Sequence, residues 1–188
     1  LWEYDNWNCH ISVAPAIDAG NNRVLVVGGY ELGATMVKVE KNGDGYVATE
    51  VFTTEEFGGQ TKPPILHNGH FYAQYGTNNR RDGLVCMNME GEIKWKTKRD
   101  PSFNKGSMIL VDGLILATDG EKSLHLIEPD PSEFKPLASA EVLGEGGDSS
   151  GIAGRIGGRT QNWAPLALSD GKLLIRDHGQ MKCVKVAK

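Results

Sequence analysis

The chain has 188 residues and a mass of 20.4 kDa, enough for one sizeable core or two small ones and too short for several large domains. Charged residues make up 23%, hydrophobic residues 39%, and the formal net charge is −4, which reads as globular rather than disordered and lacks the basic surplus of a nucleic-acid binder. Apolar runs such as Val24-Leu25-Val26-Val27 fall far short of the roughly 18 residues a membrane helix needs, so helical membrane proteins are excluded, and collagens and coiled coils with them.

Gly accounts for 24 residues, about 13% against an ordinary ~7%, so many short elements joined by turns are expected. The 3 cysteines are an odd number, and no disulfide framework covers the chain. The opening Leu1-Trp2-Glu3, with neither an initiator Met nor a basic-then-apolar leader, predicts a processed product or a fragment.

A module recurs along the chain. Val13-Ala14-Pro15-Ala16-Ile17 leads through a turn at Ala19-Gly20-Asn21-Asn22 into 23–27. Lys62-Pro63-Pro64-Ile65-Leu66 leads through Asn68-Gly69 into 70–75, and Ser107-Met108-Ile109-Leu110-Val111 leads through Asp112-Gly113 into 114–118. Ala164-Pro165-Leu166-Ala167-Leu168 leads through Asp170-Gly171 into 172–176. Asn-Gly and Asp-Gly between apolar runs predict hairpins, because both central residues of a type I′ turn need positive φ. A third strand follows each time, with Cys at one register in Gly83-Leu84-Val85-Cys86-Met87 and Gln180-Met181-Lys182-Cys183-Val184. Thr35-Met36-Val37-Lys38-Val39 and Ser123-Leu124-His125-Leu126-Ile127 fill the same slot. The clearest fourth strand is Glu92-Ile93-Lys94-Trp95-Lys96-Thr97.

The spacings between Pro15, Pro64, Met108 and Pro165 are 49, 44 and 57 residues. Four strands per unit at such a period predict an all-β chain of four-stranded antiparallel β-propeller blades, about four of them. As one segment over 1–188, the blades fall at about 11–53, 62–97, 106–143 and 162–188. Trp95 lies 13 residues before Met108, and Trp2 lies 13 before Pro15. Residues 1–5 are therefore expected as a fourth strand, completing the last blade or belonging to a preceding one. Strand exchange of that kind removes exposed sheet edges. The expectation is that these are the last blades of a longer ring; two copies closing an eight-bladed ring and a four-bladed closure of one chain are the other arrangements.

The run Gly83-Leu84-Val85-Cys86-Met87-Asn88-Met89-Glu90-Gly91-Glu92-Ile93-Lys94-Trp95, and the run from Trp163-Ala164-Pro165 on through 186, resemble the pyrroloquinoline-quinone-like propeller repeat. The resemblance implies a propeller outside the cytoplasm, periplasmic or extracellular. It also implies one of two functions. One is a cofactor-free binding scaffold, similar to the lipoprotein of the outer-membrane β-barrel assembly machinery. The other is part of a quinone-dependent alcohol or polyol dehydrogenase, which would need quinone and calcium. The dehydrogenases carry a vicinal Cys-Cys pair, whereas Cys9, Cys86 and Cys183 are all separate, and no local Glu, Asn and Asp cluster is evident for calcium. The leading expectation is thus a non-catalytic scaffold without cofactor or metal, binding a protein partner or a polar or saccharide ligand. A carbohydrate-binding propeller is the third reading. Trp2 and Trp95 are expected to dock neighbouring blades.

Loops leading into the innermost strands should lie together at one rim of the propeller. They supply the candidate ligand-binding residues His10, Gln60, Lys62, Lys105, Arg159, Gln161, Asn162 and Trp163, all amide, cationic or aromatic. Solvated polar loops are the alternative for these positions. The Gly-rich insertion 144–158 accounts for the 57-residue spacing and is expected to be mobile or functional. Within it and just beyond, Gly154-Arg155-Ile156-Gly157-Gly158-Arg159 departs from phosphate-loop spacing. His67 and His70 flank one hairpin turn and are too few for a metal site; they and Asp177-His178 are expected in solvated loops.

Overall fold

Tight turns with positive φ set the architecture. In the computed structural model, which describes residues 1–76, 81–144 and 161–186, Asn68 and Gly69 have φ of 47° and 73°. The pairs Asp112 and Gly113 (49° and 78°) and Asp170 and Gly171 (49° and 67°) repeat that geometry, and Asn21 and Asn22 (53° and 59°) close the first hairpin. Both central residues of each turn are left-handed, so the flanking strands follow their natural right-handed twist.

Four antiparallel sheets result. The first contains β1 (Ile17–Gly20), β2 (Arg23–Gly28), β3 (Gly33–Asn42) and β4 (Gly45–Thr54). The second contains β5 (Ile65–His67), β6 (His70–Gly76), β7 (Arg81–Asn88) and β8 (Ile93–Lys96). The third contains β9 (Met108–Val111), β10 (Leu114–Thr118), β11 (Ser123–Glu128) and β12 (Lys135–Glu141). The fourth has three strands, β13 (Ala167–Ser169), β14 (Lys172–Arg176) and β15 (Met181–Lys185). Within each sheet the strands lie in chain order, and no helix occurs among the described residues.

The sheets stack face to face through three apolar layers. Leu25, Val27 and Met36 of the first sheet meet Phe71, Ala73, Tyr75, Val85 and Met87 of the second. Alternate residues of those same second-sheet strands, Tyr72, Leu84 and Cys86, face the other way and meet Ile115, Ala117 and Ile127 of the third. Leu116 and Leu124 then meet Leu173 and Ile175 of the fourth. A period-2 strand buried on both faces shows this pattern, and β6 and β7 are sandwiched accordingly. Each large side chain that is fully buried contributes about 1.5–3 kcal/mol of transfer free energy. The outer strands β4 and β12 are mostly exposed. Stacked four-ribbon blades running inner to outer are those of a β-propeller, as the repeat predicted.

The N-terminal segment departs from expectation. No strand precedes Ile17, and the fourth sheet has no outer strand among the described residues. A strand needs an unpaired edge beside it. Residues near Tyr4 lie instead against the first sheet, where the Tyr4 hydroxyl donates to Glu50 on β4 at 2.5 Å, a side-chain contact and not a ladder. Glu50 pairs with Val37, so this contact is on the face turned away from the second sheet. The insertion 145–158 and the Gly154–Arg159 run lie outside the described residues.

Candidate functional site

The loops before β5, β9 and β13 come together at one rim, held by a polar chain that crosses three sheets. Gln74, 8% exposed on β6, donates its amide to the Thr118 carbonyl at 2.7 Å and accepts the Gly106 N–H at 2.8 Å. Ser107 N–H donates to Thr118 Oγ1 at 2.9 Å, and Leu166 N–H donates to Ser107 Oγ at 3.2 Å. Only glycine fits at 106, because a Cβ there would stand 1.9 Å from the Thr118 oxygen.

Side chains expected to bind ligand lie beside this lacing. Gln60 and Lys62 line one small cavity of about 10 Å³ together with Lys105, Asn104 and Gln74, room for roughly one water. Burial pushes the Lys62 ammonium below its usual pKa. Lys105 also reaches the next loop, its Nζ lying 4.8 Å from the centroid of the Trp163 ring. Trp163 and Gln161 then line an open cleft of about 380 Å³ with Arg176, Asp177 and His178. Gln60, Lys62, Lys105, Gln161 and Trp163 thus form one continuous stretch of rim. Asn162 is fully buried, its N–H donating to the Gly120 carbonyl at 2.9 Å, so it supports the loop from beneath. His10 is exposed and lines neither space. Arg159 lies outside the described residues.

Arg176 and His178 were not among the expected site residues. They belong to the rim because β13 and β14 are antiparallel, with Ala167 opposite Leu174. Continued by four residues, that register sets Trp163 opposite His178. Asp177 is 8% exposed and holds the following turn, Oδ1 accepting from the N–H groups of Gly179 and Gln180 at 2.7 and 2.8 Å. Asp177 itself lines the cleft, beside the cations, the aromatic ring and the amide of Gln161.

The other expected positions are placed as follows. Trp95, on β8, lies between the second and third blades, 6.0 Å from Tyr72 and 5.9 Å from Phe134, and its indole N–H donates to the Asp130 carbonyl at 2.9 Å. Trp2 is 41% exposed. Asn68 bridges its two neighbouring histidines, through Nδ2 to His67 at 3.0 Å and through its carbonyl to His70 at 3.1 Å. The three cysteines are free, and no cluster of three His, Cys, Asp or Glu converges among the described residues.

No protein-family model and no curated protein matches the sequence. Among solved structures, BamB from Moraxella catarrhalis matches at 12% identity with a TM-score of 0.40, over 93% of this chain and 58% of that one. The chain therefore spans less than two thirds of that structure's length. The sheets themselves define the class, a propeller-type repeat protein. No helix among the described residues is long and apolar enough to cross a membrane.

Proposed function

We propose that the chain is a non-catalytic binding module that receives an acidic loop of a protein partner on the rim formed by its blade lead-in loops. The observation that carries this reading is the 380 Å³ cleft, where Trp163, Arg176 and His178 meet and Lys105 covers the ring of Trp163. A cation over an aromatic face, with a guanidinium nearby, suits carboxylates approaching a partly apolar surface. The rim is cationic although the chain as a whole carries −4, so the charge is placed, not general. The repeat resemblance supports a role as a scaffold outside the cytoplasm.

Calorimetry with a hexaglutamate peptide, compared with a neutral glucose hexasaccharide, tests it. Heat of binding is expected for the peptide alone, weakening as salt rises. K105A and R176A should each reduce affinity about two- to fivefold, the worth of an exposed ion pair. Binding of the saccharide alone, or of neither, overturns the reading.

A further inference from the structure

The inner hairpin of the second blade brings two imidazoles together. His67 ends β5, His70 begins β6, and the two stand directly opposite in the ladder, as Ile65 stands opposite Tyr72. Cross-strand partners of this kind have Cβ atoms about 4.5–5.5 Å apart and side chains on one face of the sheet. Alternation along each strand gives His67 the face of Ile65 and His70 the face of Tyr72, and Ile65 and Tyr72 both pack toward the third blade. Both rings therefore rise on the same side of the turn, and both are half-buried.

Asn68 settles which nitrogen of each ring carries a lone pair. The His70 Nδ1–H donates to the Asn68 carbonyl at 3.1 Å, so Nε2 of that ring is an acceptor, and no donor meets it among the described residues. The Asn68 Nδ2–H donates to His67 Nε2 at 3.0 Å, so the second lone pair is turned toward the same turn. A ring N–H held by a backbone carbonyl is the arrangement that orients metal-ligating imidazoles and raises their basicity. On the other ring, an amide N–H occupies the position that a Lewis acid would take.

A structural zinc site needs four ligands in a tetrahedron, which two histidines do not supply. Copper(II) differs. It prefers a tetragonal plane, is well suited by imidazole, and binds nitrogen and oxygen donors more tightly than the other divalent first-row ions. The spacing suits it too: cis ligands at about 2.0 Å from one ion lie roughly 3 Å apart, and the Asn68 amide is 3.0 Å from His67 Nε2.

We propose that the turn His67-Asn68-Gly69-His70 binds one copper(II) ion through Nε2 of both rings, the Asn68 amide rotating to present Oδ1 in place of Nδ2 and water completing the plane. The same turn accepts a carboxylate at this position in other blades: Asp112 and Asp170 are its equivalents, each with φ of 49° against 47° at Asn68. The turn follows β5, whereas the lead-in loop precedes it, so this site is at the opposite end of the blade from the rim. The inference does not rest on the binding reading above.

Titration of copper(II) sulfate, followed by calorimetry and electron paramagnetic resonance, tests it. A Cys9→Ser, Cys183→Ser background removes the two thiols that are not buried and would reduce the ion, and Cys86 is buried in either case. One ion per chain is expected, with an axial spectrum and hyperfine structure from two nitrogens. H67A and H70A should each weaken binding about tenfold or more, while H10A and H178A leave it unchanged. N68D should tighten it several-fold, because a charged oxygen replaces a neutral one in a turn that already takes Asp elsewhere. All these residues are at turns or loops, so circular dichroism should be the same for every variant. No binding at millimolar copper, affinity that survives both H67A and H70A, weaker binding in N68D, or zinc held as tightly as copper would each overturn the proposal.

Discussion

His125 shows how one residue's surroundings decide its chemistry. It is 9% exposed on β11, opposite Ala117, with its ring 4.8 Å from that of Phe103. Burial pushes its pKa below the usual 6.5, and the carboxylate of Asp119 opposes this more weakly. The folded state therefore keeps the imidazole neutral at a pH where the unfolded chain takes up a proton. Unfolding binds protons in that window, so stability is complete above about 6.5 and is lost as pH falls toward the lower folded value. The urea midpoint should drop between pH of about 7.5 and about 5.5, and the drop should shrink in H125L. An equal drop in the variant would assign the effect elsewhere. Cys86 and Cys183 make the complementary point: one register, two environments, because the third blade covers one and no described residues cover the other.

At the scale of the element, the junction between the second and third blades is the most constrained. Gln74 spends both ends of its amide on backbone groups, and Gly106 lies where no side chain fits. Q74L should cost about 1–3 kcal/mol, the penalty of stranding the buried Gly106 N–H and Thr118 carbonyl. G106A should cost more, since backbone must move, and it should loosen the Lys105 and Trp163 pair as well as lower the urea midpoint. A G106A variant with an unchanged midpoint would show that the loop shifts freely. The turns at this scale were legible because their rule is local: Asn68-Gly69, Asp112-Gly113 and Asp170-Gly171 need only themselves. The lead-in loops followed from them, which is why Gln60, Lys105, Gln161 and Trp163 were expected at one rim, where the structure places them. Arg176 and His178 were not expected beside them because their place depends on carrying the hairpin register past the strand ends. Residues 1–5, expected as a fourth strand completing the last blade or belonging to a preceding one, form no strand here, because strand sequence is local and the edge it needs is not.

For the whole molecule, a stack of blades behaves as a near one-dimensional array in which each blade draws stability from its neighbours. Among the described residues the second and third blades have two apolar interfaces each, whereas the fourth has one, to the third. Its three strands are also the shortest sheet, so its opening should cost the least free energy and its amides should exchange first. Amide exchange along β14, where Leu173 and Ile175 are 0% and 1% exposed, should therefore be faster than along β6 and β7 although all are buried. Exchange along β6 and β7, covered on both faces, should occur only when the whole array opens. Exchange followed by mass spectrometry, blade by blade, separates the cases. Equal rates across all four sheets would mean that the array unfolds as a single unit.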